Sequence, residues 1–169
     1  KDLIEETYET IEAINKNDPD MLREELGDVL MQVVFHAQIE TEKGVFNFDD
    51  VADEICKKMI VRHPHVFGEV SVDGVEDVLT NWDAIKRATK GQKTTTEAID
   101  SVPRELPALM RAAKIQSKSA KAGFDWTEVD GALERLSEEI DELRQAIADG
   151  SQDEISDELG DVLFSAVNV

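Results

Sequence analysis

Apolar side chains recur along most of this chain with the period of an α-helix. Ile4, Tyr8, Ile11 and Ile14 share one helix face and predict a first helix over residues 3–14. Asn17-Asp18-Pro19-Asp20 reads as a turn, with Asp18 or Asp20 placed to cap the next helix. Leu22, Leu26, Val29, Leu30 and Val33 carry a second stripe to about Glu40, ended by Lys43-Gly44. A third helix starts after Asn47 or Asp49 and runs to Arg62, where His63-Pro64 stops it because proline pushes its predecessor out of the helical region. Residues 66–73 read as irregular or briefly extended, and Val78, Trp82 and Ile85 mark a fourth helix near 75–89. The polar, threonine-rich stretch 90–103 closes on Pro103. Beyond it, helices are expected over 106–122, 129–148 and 152–169, with a break at Gly123 and a turn at Asp149-Gly150. Strand signals are scarce, so the predicted class is all-α, a helical bundle.

The same pattern occurs twice. A shift of 133 lays residues 1–36 over 134–169 without a gap, and 14 of the 36 positions are identical. The densest block is Glu25-Leu26-Gly27-Asp28-Val29-Leu30 against Glu158-Leu159-Gly160-Asp161-Val162-Leu163. Such a long offset indicates a duplicated domain rather than a short-period solenoid. The expected organisation is a first repeat over 1–90, a linker over 91–103 and a second repeat over 104–169. The second breaks off where the first goes on to its third helix. Lys1 opens the chain and Val169 closes it inside an apolar run, so the first repeat is expected to lack its start and the second its carboxy-terminal part.

Composition narrows the function classes. Eighteen basic against 38 acidic residues give a net charge of −20, while 41% of residues are hydrophobic, enough to build a core. A nucleic-acid binder would carry a basic footprint, which is missing. No apolar stretch is long enough to span a bilayer, and no secretory signal opens the chain. The single cysteine, Cys56, rules out an internal disulfide and fits a reducing, cytoplasmic setting.

Each repeat carries E-E-x-x-E followed, about sixteen residues later, by E-L-G-D. Glu6 and Glu9 are i, i+3 neighbours on one helix, and so are Glu25 and Asp28 on the next. A short turn makes the two helices an antiparallel hairpin that can bring four carboxylates together. At about 6 Å and an effective dielectric of about 20, each like-charged pair costs roughly 3 kcal/mol. Six pairs then cost on the order of 15 kcal/mol before screening, comparable with the whole stability of a domain. The groups must splay into water, take up protons or hold a cation, and all-oxygen ligation suits Mg²⁺ or Mn²⁺. A solvated acidic helix face would explain one such motif, but surface drift has no reason to keep it twice at a fixed offset. Gly27 and Gly160, beside the aspartates, each cost about 1 kcal/mol in a helix interior. They point to close approach of another helix or a ligand.

Glu5-Glu6-x-x-Glu9 with Glu25-x-x-Asp28, the Arg62-His63-Pro64-His65-Val66-Phe67 block, Trp82-x-x-x-Lys86 and Gly123-Phe124-Asp125-Trp126 together resemble the MazG nucleoside triphosphate pyrophosphohydrolases, in their two-repeat form. The resemblance implies a duplicated bundle of the all-α NTP pyrophosphatase type. It also implies hydrolysis of nucleoside triphosphates to monophosphate and diphosphate, Mg²⁺ dependence, homodimerisation and a house-cleaning role in the nucleotide pool. It implies metal ligands at Glu6, Glu9, Glu25 and Asp28, and again at Glu139, Glu142, Glu158 and Asp161. Glu5 and Glu138 match a position that orients or deprotonates the attacking water. Lys58 and Arg62 match a basic pair that neutralises phosphates, and Trp82 and Lys86 a pair that holds the base and the phosphate tail.

The residues themselves leave alternatives. Trp82 lies on an apolar face and can be a core residue, and Lys58 and Arg62 can bridge to Asp53 or Glu54. His63 and His65 read as a turn-stabilising pair, and Cys56 as a small core residue. The basic stripe Arg111, Lys114, Lys118 and Lys121 faces either phosphates or the acidic helices. At the level of function, the rivals are a non-catalytic module for nucleotide binding, divalent-cation binding or dimerisation, and a pyrophosphatase restricted to dUTP.

Overall fold

The computed structural model describes residues 2–68, 70, 73–89, 91 and 94–169, and every regular element among them is helical. The chain divides into two compact units, Lys1–Trp82 and Asp83–Val169.

The first unit is built on a hairpin of α1 (Asp2–Lys16) and α2 (Pro19–Glu42). The sequence dictates the reversal. Asn17 takes a left-handed φ of 52°, which asparagine tolerates better than most residues. Asp18 Oδ1 then accepts from the amides of Asp20 (3.1 Å) and Met21 (3.0 Å), and Pro19 opens the helix, where no amide donor is needed. Helix α3 (Phe48–Arg62) starts with a capping box: Asp50 N donates to Asn47 Oδ1 at 3.1 Å, and Asn47 N donates to Asp50 Oδ2 at 2.9 Å. It packs against α2 and against α4 (Pro64–Phe67). Pro64 does stop α3, but it also opens a helical turn of its own, so the expected irregular stretch begins helical. Glu69, Ser71 and Val72 of that stretch lie outside the described residues. Helix α5 (Val75–Thr89) follows.

The second unit repeats the hairpin. Helices α8 (Val129–Asp149) and α9 (Gln152–Asn168) pair through Gly150, at φ 75°, and Ser151, whose Oγ accepts from Glu154 N at 3.4 Å. Gly150 and Ser151 stand where Asn17 and Asp18 stand in the first copy. The stretch expected to be a linker holds α6 (Thr95–Asp100), capped by Thr94 and Glu97, with Ala98 and Val102 buried. Lys90, Gln92 and Lys93 of the same stretch lie outside the described residues. Helix α7 (Ala108–Ala120) packs on α6 and α9, and Gln116 Nε2 donates to the Phe164 carbonyl at 2.7 Å.

Among the described residues the buried apolar side chains are alanines and one valine: Ala13, Ala37, Ala98, Val102, Ala112, Ala132 and Ala146. Two helices crossing on small residues bury only the seam between them. Ile4, Tyr8, Ile11 and Ile14, whose periodicity predicts α1, stay 43–58% exposed. Cys56, expected in the core, is exposed; α3 buries none of its residues.

Candidate functional site

The seam of the second hairpin explains its chemistry. Ala132, Glu139 and Ala146 recur every seven residues along α8, all buried toward α9. A glutamate between two alanines on a close helix contact loses most of its solvent, and Glu139 is only 4% exposed. Glu158 and Asp161, one turn apart on α9, meet it. One carboxylate oxygen each of Glu139, Glu158 and Asp161 lie within 4.8 Å of one another. The first hairpin repeats this with Glu6 of α1 and Glu25 and Asp28 of α2, again within 4.8 Å, all three half-buried. In each copy the structure gathers three of the four carboxylates singled out in the sequence. Glu9 and Glu142 stand beside their groups, one helical turn along from Glu6 and Glu139.

Crowding and burial act together on these acids. Loss of solvent holds the Glu139 carboxyl above the ordinary 4.5; Arg135 opposes this, and Glu142 and Asp161 reinforce it. Desolvation likewise raises Glu6, helped by Asp28 and Glu9, and raises Glu25, helped by Glu9, Glu24 and Asp28. Glu139 Oε2 and Glu158 Oε2 are buried without a hydrogen-bond partner among the described residues. Unsatisfied carboxylate oxygens of this kind are costly, and a set made only of oxygen donors fits a hard divalent cation.

Arg135 was not conspicuous in the sequence. Its Nη2 lies 2.5 Å from Glu139 Oε1 and its Nη1 lies 3.0 Å from Glu138 Oε2. The signal available was its place four residues before Glu139, where the matched position of the first repeat is Asp2.

The other singled-out residues fall as follows. Glu5 and Glu138 are exposed, next to Glu6 and Glu139. Lys58 is exposed on α3, and the surface bridge foreseen for Asp53 goes to Lys57, at 2.5 Å. The Arg62 guanidinium lies over the Trp82 ring, 5.7 Å from its centroid, joining two residues assigned to different pairs. Lys86 is half-buried on α5, one turn after Trp82. His63 Nδ1 bonds the Met59 carbonyl at 2.9 Å at the end of α3, with the His65 ring edge-on 5.8 Å away, which makes them a turn pair. Arg111 lines a cavity of about 400 Å³ with Arg104, Leu109, Gly160, Leu163 and Phe164. Gly160, Leu163 and Phe164 of that cavity belong to α9, the helix that also carries Glu158 and Asp161. No atom stands within 4 Å of a Cβ built at Gly27 or Gly160, so helix packing does not explain either glycine. At Gly131 a close approach does explain the glycine: a Cβ there would lie 2.6 Å from the ring of Trp126, in the segment before α8.

The family model described as the MazG nucleotide pyrophosphohydrolase domain matches residues 1–67 and 127–169. The chain is 47% identical over 170 residues to the nucleoside triphosphate pyrophosphohydrolase of Escherichia coli (strain K12), covering 98% of this chain and 64% of that protein. It is 45% identical over 167 residues to the Thermotoga maritima nucleoside triphosphate pyrophosphohydrolase/pyrophosphatase MazG, covering 99% and 62%. A nucleoside triphosphate pyrophosphohydrolase of Mycolicibacterium smegmatis is 37% identical over 152 residues, 86% of this chain and 47% of that protein. The chain thus spans less than two thirds of the length of these relatives.

Proposed function

This chain belongs to the MazG nucleotide pyrophosphohydrolase domain family, and from that premise we propose that it is part of a hydrolase that cleaves nucleoside triphosphates to monophosphate and diphosphate. The observation that carries this reading is the twofold occurrence of three clustered carboxylates, one set with two buried oxygens, Glu139 Oε2 and Glu158 Oε2, that have no hydrogen-bond partner among the described residues. Glu6, Glu25 and Asp28, and Glu139, Glu158 and Asp161, would hold Mg²⁺ or Mn²⁺, with Glu9 and Glu142 beside them. Such an ion, when bound, neutralises the triphosphate and polarises its phosphorus–oxygen bonds. Glu5 or Glu138 orients a water and accepts its proton as the water attacks the α-phosphorus. Lys58 and Arg62 offset the charge that develops on departing diphosphate, and cations fixed there favour the transition state over the ground state. Trp82 and Lys86 hold the base and the phosphate tail. Carboxylates meet only metal and phosphate, so base identity does not enter their part of the site. The family reading also carries homodimerisation, which the uncovered apolar faces of α1 and α2 support, and a house-cleaning role in the cytoplasm.

Product identity tests the reaction. With Mg²⁺ and ATP or GTP, chromatography should find the monophosphate and diphosphate. Orthophosphate as the only inorganic product overturns the proposal, and nucleotide binding without turnover favours a non-catalytic module. The double variant Glu25→Gln with Glu158→Gln should lose diphosphate release while its circular dichroism stays helical. The two single variants then apportion the activity between repeats.

A further inference from the structure

The two carboxylate groups differ at one matched position. Asp2 precedes Glu6 by four residues on α1, and Arg135 precedes Glu139 by four on α8. Among the described residues, no arginine or lysine pairs with Glu6, Glu25 or Asp28. In the second hairpin the Arg135 guanidinium grips Glu138 and Glu139 together, at 3.0 Å and 2.5 Å. Glu139 is no ordinary surface acid. It is 4% exposed, its Oε2 has no hydrogen-bond partner among the described residues, and it is grouped with Glu158 and Asp161. Arg135 itself is 44% exposed, so its side chain borders solvent.

We propose that Arg135 is a tethered competitor of the divalent cation: it occupies Glu139 in the ion-free chain and must leave before Glu139, Glu158 and Asp161 close around a metal ion, a displacement that the first group, with Asp2 at the matching place, does not require. The inference rests on the reading that both groups hold a divalent cation. A charge-assisted guanidinium–carboxylate pair is among the stronger hydrogen-bonded contacts. A fixed positive charge a few ångströms from the ion would repel it if the pair persisted. Either way the second group binds more weakly than its carboxylates alone would dictate. Arg135 is therefore a positioning residue, and its effect should appear in metal affinity itself.

Mn²⁺ titration of the whole chain, followed by the electron paramagnetic resonance of free Mn²⁺, reads this without turnover. Glu25→Gln leaves the second group intact, and Glu158→Gln leaves the first. In the Glu25→Gln background, Arg135→Gln should tighten Mn²⁺ binding by about tenfold, a typical coupling between linked sites, whereas Arg135→Lys should not. In the Glu158→Gln background, Asp2→Arg should weaken binding by a similar factor. Unchanged Mn²⁺ affinity on both exchanges, in proteins that stay helical by circular dichroism, overturns the competitor role. If the folded wild-type chain binds no Mn²⁺ at all, the divalent-cation reading of the two groups fails instead.

Discussion

Glu139 shows how one residue's chemistry follows from its neighbours' size. Alanines one heptad to either side let α9 approach, and that approach strips water from the carboxylate. Burial raises its proton affinity, as it does for Glu6 and Glu25 in the other hairpin. A raised pKa means that the folded chain binds more protons than the unfolded one. Stability therefore falls as pH rises from the ordinary 4.5 through the raised folded values. In metal-free buffer we expect the melting temperature to climb as pH is lowered from neutral toward that range, and Mg²⁺ to raise it at neutral pH and flatten the slope. Calorimetric melts with and without chelator check both. The acidic motifs could be read from sequence because helical spacing puts Glu25 and Asp28 on one face. The split between three gathered acids and a flanking Glu9 or Glu142 could not, since it depends on how far α1 and α2 are apart at each turn.

The hairpin turns belong to the scale of elements, and they are the best-specified part of the fold. A left-handed residue, a capping side chain and a helix start follow one another at both Asn17-Asp18-Pro19 and Gly150-Ser151-Gln152. Gly150 has a φ of 75°, where a Cβ clashes with the following carbonyl. Gly150→Ala should lower the unfolding free energy by about 1 kcal/mol, and Asn17→Gly should change it by less than about 0.5 kcal/mol. Urea denaturation followed by circular dichroism measures both. Capping chemistry is local, so sequence placed these turns and the start of α3 well. Pro64 and the 91–103 stretch were harder. Proline both ends one helix and starts another, and α6 is a six-residue helix whose alanine and following valine are buried by tertiary contacts.

The whole molecule carries two opposed properties, a net charge of −20 and long apolar stripes left open to solvent. Tyr8, Ile11 and Ile14 on α1 and Leu30, Met31 and Phe35 on α2 are exposed. Apolar area on this scale calls for a covering surface, while like charge on two acidic chains opposes their meeting. We expect sedimentation equilibrium to give twice the chain mass at physiological ionic strength, and dissociation to increase as salt is lowered and screening weakens. A monomer at all salt concentrations would remove the dimer from the functional reading.

Sequence alone determined what is periodic or local: the helical class, the doubled hairpin, the turn chemistry and the acids that share a helix face. Those follow from 3.6 residues per turn and from side chains bonding to their own backbone. Tertiary structure decided the rest: the burial of Glu139, the hold of Arg135 on Glu138 and Glu139, the stacking of Arg62 on Trp82 and the exposure of the apolar stripes. Each depends on the separation and rotation of helices packed on small residues, where a shift of an ångström decides whether a carboxylate meets water, a guanidinium or another carboxylate.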